Sequence, residues 1–133
     1  MVVGYIPGPQ GRAALTRGIT EADLRDTRLV VVNTTRGDAL VDERYLQNDA
    51  RDSLIAELEQ AGVPAELRQI NDGRDVADVL EAIATELSAD LIVIGLRRRS
   101  MVGKLILGSA ATRILLTSSH PVMSVKAAAS TAA

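Results

Sequence analysis

Gly95, the run Arg97-Arg98-Arg99 and the pair Gly108-Ser109 are the residues of this chain whose types and spacing best suit chemistry, and that chemistry is anion binding. They belong to one stretch, 89–118. It reads as an apolar strand (Leu91-Ile92-Val93-Ile94), a glycine-bounded loop, and a helix opening at Gly108-Ser109 and running through Leu116. Gly95 is expected to free the backbone where the strand ends. The unpaired amides and positive dipole end of the helix offer a seat for phosphate or carboxylate. Three consecutive arginines add positive potential, but neighbouring loop residues diverge, so at least one is expected to serve as a solvated or interface charge. A second reading stands beside this one. Gly95 and Gly108 equally suit a tight turn and close helix packing without any ligand, and Ser109 equally suits a helix cap.

Other chemistries find less support. The chain has no cysteine, which excludes a disulfide framework, a thiolate nucleophile and a cysteine-bound metal, and fits a reducing cytoplasm. A lone histidine, His120, excludes a His-pair metal site; with Pro121 after it and no Gly-x-Ser-x-Gly pattern, it reads as extended chain rather than as a catalytic base. Gly103-Lys104 is followed by Leu105 where a P-loop needs Ser or Thr. No acid, base and nucleophile converge, so an enzyme is not expected. A formal net charge of -2 and the absence of Phe and Trp argue against nucleic acid as a partner. No apolar run approaches membrane-spanning length and no targeting segment opens the chain; a cytoplasmic protein is the expectation.

The elements that must position the loop follow from periodicity. Met1–Ile6 and Leu29–Val32 are apolar on both faces, as buried parallel strands are, and Asn33-Thr34-Thr35-Arg36-Gly37 reads as a polar loop. Ala65–Ile70 alternates and belongs at a sheet edge, while Val122–Lys126 forms a last short strand. Helices are expected over 10–24 (Ala14, Leu15, Gly18, Ile19 and Ala22 inward), over 41–61 (Leu46, Ala50, Leu54, Leu58 and Ala61 inward) and from Val76 (Val76, Val79, Leu80, Ile83 and Leu87 inward). One domain over 1–126 with a flexible tail at 127–133 is implied. Strict strand–helix alternation makes it an α/β doubly wound parallel sheet, Rossmann-like, with its crevice at the carboxyl ends of the strands.

These residues resemble the universal stress protein family. Many members carry Gly-x2-Gly-x9-Gly-Ser/Thr after the fourth strand for the ribose and phosphates of ATP; Gly95, Arg98 and Gly108-Ser109 stand at that spacing. The likeness extends from Ala14...Gly18...Ala22 through Gly73-Arg74-Asp75 to Pro121-Val122. It implies five strands in the order 3-2-1-4-5, a stress-response role, and ATP or another phosphate-bearing ligand at Gly95, Arg98, Gly108 and Ser109. It also implies a homodimer through the last strand, with Val122 and Val125 at the interface. Two departures weaken the implied site: Ile6 stands where ATP-binding members carry Asp, and Arg98 replaces the second glycine. Arg98 either fills the phosphate space or grips phosphate through its guanidinium fork. A dimeric regulatory module without ATP is the alternative. A phosphorylation receiver shares the alternation, with Asp72 and Lys126 after the third and fifth strands, but that family needs an acidic pair where this chain has Ile6-Pro7.

Overall fold

The computed structural model describes residues 1–35, 45–98 and 105–127, the side chains of 98, 105 and 106 excepted. Its strands are β1 (Val2–Gly4), β2 (Leu29–Thr34), β3 (Ala65–Ile70), β4 (Ile92–Arg98), β5 (Leu105–Ile106) and β6 (Val122–Lys126). The helices are α1 (Pro9–Leu24), α2 (Asn48–Glu59), α3 (Val76–Glu86) and α4 (Ser109–Thr117). Five strands make a parallel sheet in the order β3-β2-β1-β4-β6. This is the expected order 3-2-1-4-5, with β6 as the fifth strand. The addition is β5, two residues that pair antiparallel with Arg97 and Arg98.

The apolar strands are central for the reason their composition suggests: both faces are covered. Val3, Leu29, Val31 and Val93 face α1 and α2, whereas Val2, Val30, Val32, Ile92 and Ile94 face α3 and α4. β3 lies at an edge, as its alternation requires. α1 starts at Pro9, whose missing N–H costs nothing in a first turn, after Gly8 at φ 114°. α3 is capped by Asp75, which accepts from the Ala77 N–H at 3.0 Å, and it buries Val79, Leu80 and Ile83.

Four expectations change. Asn33 and Thr34 are strand, not loop, and Asn33 is fully buried, because backbone partners satisfy its amide. The helix expected over 41–61 begins at Asn48; 41–44 lie outside the described residues, and Leu46, although buried, precedes the helix with its N–H held by Asn33 Oδ1 at 2.9 Å. Gly95 stands within β4 rather than at its end. Ala127, expected to open the tail at 127–133, is instead buried, and its N–H donates to the Leu96 carbonyl; 128–133 lie outside the described residues. Among the described residues, no helix is long and apolar enough to cross a membrane.

Candidate functional site

The carboxyl ends of β1 and β4 and the first turn of α4 define the expected crevice, and each expected residue can now be placed. A Cβ at Gly95 would fall inside the carbonyl of Gln10, in the first turn of α1. Packing explains this glycine completely: α1 rests directly on β4 where a side chain would stand. Gly108 differs. Its φ of -65° suits any residue, and among the described residues a Cβ there would meet nothing within 4 Å. Among the described residues, neither a tight turn nor close packing demands glycine at 108.

The same position caps α4. Its first ladder bond runs from the Thr112 N–H to the Gly108 carbonyl, which leaves the amides of Ser109, Ala110 and Ala111 outside that ladder. Gly108 supplies no side-chain cap and the first turn holds no acidic residue. Ser109 is exposed at the first helical position, and Gly108 holds the capping one. α4 thus carries no acidic residue in its first turn, in contrast with α3, where Asp75 and Asp78 occupy the equivalent places. Arg98 contributes backbone to β4 opposite Leu105, and Arg97 is exposed; the Arg98 side chain and all of Arg99 lie outside the described residues.

At the β1–β2 side of the crevice, Asn33 ties three strands together. Its Nδ2 donates to the Tyr5 carbonyl at 3.0 Å, while Oδ1 accepts from the Leu46 N–H and from Gln69 Nε2 at 3.1 Å. Gln69 Nε2 also donates to the Leu46 carbonyl at 2.9 Å. Nothing in the periodicity announced this arrangement. A lone amide ending an apolar run, Val30-Val31-Val32-Asn33, was the available signal. Ile6 lies two residues beyond the end of β1, and its carbonyl lies so close to α1 that Gly11 admits no Cβ.

Sequence reasoning also missed a cluster on the far side of the sheet. Glu81 of α3 accepts from Ser118 Oγ at 2.6 Å, from the Ser119 N–H at 3.0 Å and from Ser119 Oγ, and it faces His120 Nδ1 at 3.1 Å. Burial works to raise the pKa of this carboxyl, but the donors outweigh it and hold it down at about 2. The groups do not form a hydrolytic relay. Ser119 Oγ and Glu81 both address Nδ1, whereas a relay needs the nucleophile on one ring nitrogen and the carboxylate on the other. Asp72, which a receiver would use after the third strand, is bonded at 2.7 Å to Arg74 Nε, and that contact keeps its carboxyl below the usual carboxylate range. Among the described residues, no group of His, Cys, Asp and Glu is placed to hold a metal.

Against this geometry, the sequence model of the universal stress protein family matches residues 1–126. The chain is 47% identical over 126 residues to a universal stress protein of Mycolicibacterium smegmatis, covering 95% of this chain and 96% of that one. Among solved structures, the universal stress protein from Archaeoglobus fulgidus superposes with a TM-score of 0.77 at 27% identity, over 94% of this chain and 96% of that one. The structure of the universal stress protein from Archaeoglobus fulgidus in complex with dAMP gives 0.69 at 21% identity, over 94% and 95%.

Proposed function

The chain belongs to the universal stress protein family, and on that premise we propose that it is a stress-response regulator rather than an enzyme. It binds an adenine nucleotide, ATP or a relative, at the carboxyl edge of β1 and β4. The observation that carries this reading is the start of α4, which has no side-chain cap and where, among the described residues, nothing lies within 4 Å of the place a Cβ on Gly108 would take. Phosphate sits there, held by the amides after Gly108, by the Ser109 hydroxyl and by Arg98. The dAMP complex of the Archaeoglobus protein supports a nucleoside phosphate as the ligand class. Gly95 serves by seating α1, not by touching the ligand.

Ile6 leaves the nucleoside end without the carboxylate expected at that place, so the site is weakened and leans on phosphate. A lost polar contact of this kind costs about 1–3 kcal/mol, or roughly one to two powers of ten in affinity. The protein acts in the cytoplasm as a homodimer joined through β6, with Val122 and Val125 at the interface. Nucleic acid and membranes are not its partners.

Calorimetric titration of ATP, ADP and GTP into wild type and Arg98→Gly tests the reading, alongside mass spectrometry of ligand released from the purified protein. The expected result is salt-sensitive binding that weakens about tenfold or more in Arg98→Gly. Tighter binding by Arg98→Gly would show that the side chain blocks the site. No released ligand and no heat with any nucleotide would favour the second reading, a dimeric regulatory module without ATP, which rests on Ile6 and Arg98.

A further inference from the structure

Asp72-Gly73 is the one Asp-Gly step of this chain, which has no Asn-Gly. It lies in the turn from β3 to α3, at the carboxyl edge of the sheet, where residues 71–74 are all exposed. Gly73 has a φ of 81°, a left-handed conformation that glycine adopts without strain. Among the described residues its N–H has no hydrogen-bond partner, and apart from its chain neighbours nothing lies within 4 Å of the place a Cβ would take. The backbone nitrogen of Gly73 thus stands beside the Asp72 carboxyl with neither a side chain nor a hydrogen bond to occupy it. The carboxyl, by contrast, is engaged on both oxygens. Oδ1 accepts from the Arg74 N–H at 3.2 Å, while Oδ2 accepts from Arg74 Nε at 2.7 Å and lies 2.6 Å from Nη2. These guanidinium contacts hold the carboxyl below the usual carboxylate range.

We propose that Asp72-Gly73 is a site of spontaneous isoaspartate formation, and that Arg74 keeps it closed in the folded protein. In this reaction the Gly73 nitrogen attacks Asp72 Cγ. A C–N bond forms, the carboxyl hydroxyl leaves with the amide proton as water, and a five-membered succinimide closes. Water then adds to one of the two ring carbonyls. Opening at the side-chain carbonyl restores aspartate; opening at the main-chain carbonyl leaves the chain running through Cγ, as isoaspartate. One water is released and one taken up, so no oxidant, reductant or cofactor enters. The ring closes from the neutral acid, because a carboxylate has no hydroxyl to lose. An exposed ion pair contributes little to folding stability. Here it acts instead on the neutral fraction of the carboxyl, and it commits both oxygens to residue 74. The product adds one carbon to the main chain between β3 and the Asp75 cap of α3. Because the turn is exposed, a repair methyltransferase that recognises isoaspartate is the class of partner that fits it.

The test compares folded wild type, Arg74→Ala and Arg74→Lys, held at mildly acidic pH for several weeks, with wild type unfolded in guanidinium chloride. Circular dichroism checks that both variants are folded, as expected for a side chain 48% exposed. Isoaspartate at position 72 is read by peptide mapping with electron-transfer fragmentation, which separates the two isomers of equal mass. Folded wild type is expected to be slowest, and Arg74→Ala to form isoaspartate about threefold or more faster, toward the rate of the unfolded chain. Arg74→Lys, which keeps the charge and loses the planar fork, is expected to fall between them. Equal rates in folded wild type and Arg74→Ala, both below the unfolded chain, would show that the backbone of the turn closes the site and would overturn the role of Arg74. Equal rates in every sample would show that folding gives no protection, and no isoaspartate in any sample would remove the site; either overturns the inference, without bearing on nucleotide binding.

Discussion

On one face of the sheet, α1 reaches β1 and β4 because glycines stand at the crossings; on the other, α3 reaches the same strands through side-chain bulk. A Cβ added at Gly95 would collide with the Gln10 carbonyl, and one at Gly18 with the buried side chain of Val3. On the α3 face, a Cβ at Gly4 would stand 3.1 Å from Leu80 Cδ1, the far end of a flexible chain. Val79, Leu80 and Ile83 fill that layer. The first face is closed by backbone contact and the second by packing. A helix seated on backbone cannot give way when a side chain is added, while a helix seated on its own side chains can repack. The polar fastening differs as well. α1 carries the surface pair Arg12–Glu57, whose hydrogen bond raises the Arg12 pKa, whereas α3 sends the half-buried Glu81 into four donors at the α4–β6 junction.

The largest test of this contrast is a matched pair of substitutions. Gly95→Ala is expected to cost about 3 kcal/mol or more, since α1 must lift off β4, while Gly4→Ala costs about 1 kcal/mol or less after Leu80 shifts. Urea unfolding followed by circular dichroism measures both, and equal costs would dissolve the distinction between the faces. A middle-sized effect belongs to Glu81→Gln. The folded-state pKa near 2 lies below the ordinary 4.5, so the carboxylate contributes stability fully present above about pH 4.5 and lost as pH falls toward 2. With the side chain 30% exposed, solvent screening brings the contribution at neutral pH to about 1–2 kcal/mol. Stability measured from pH 7 down to pH 3 should therefore fall less steeply in Glu81→Gln than in wild type. Parallel curves would mean that the donors do not hold the anion. A smaller one belongs to Asp75→Ala, which removes the α3 cap at a cost of about 1 kcal/mol. Ser109→Ala should leave stability within about 0.5 kcal/mol, because α4 has no side-chain cap to lose. A shared loss in thermal midpoint would show that both helices depend on their first side chain.

The alternation of strands and helices, the edge position of β3 and the inward stripe of α3 were legible in the chain before folding. Each rests on periodicity or composition within a few residues, which the local chain geometry imposes wherever the segment is placed. The α4 opening at Gly108-Ser109 was legible for the same reason. Folding was needed to show why Gly95 excludes a side chain, because the carbonyl in its way belongs to Gln10, in another element. It decided that Asn33 and Thr34 extend β2 and that α2 waits until Asn48. The amide of Asn33 meets Tyr5, Leu46 and Gln69, partners on other elements. It also decided the role of His120, whose bland reading from the following proline held no hint of Glu81, 39 residues away. Hydrogen-bond partners brought together by folding leave no periodic trace, since a single polar residue satisfies its bonds wherever the fold delivers a donor.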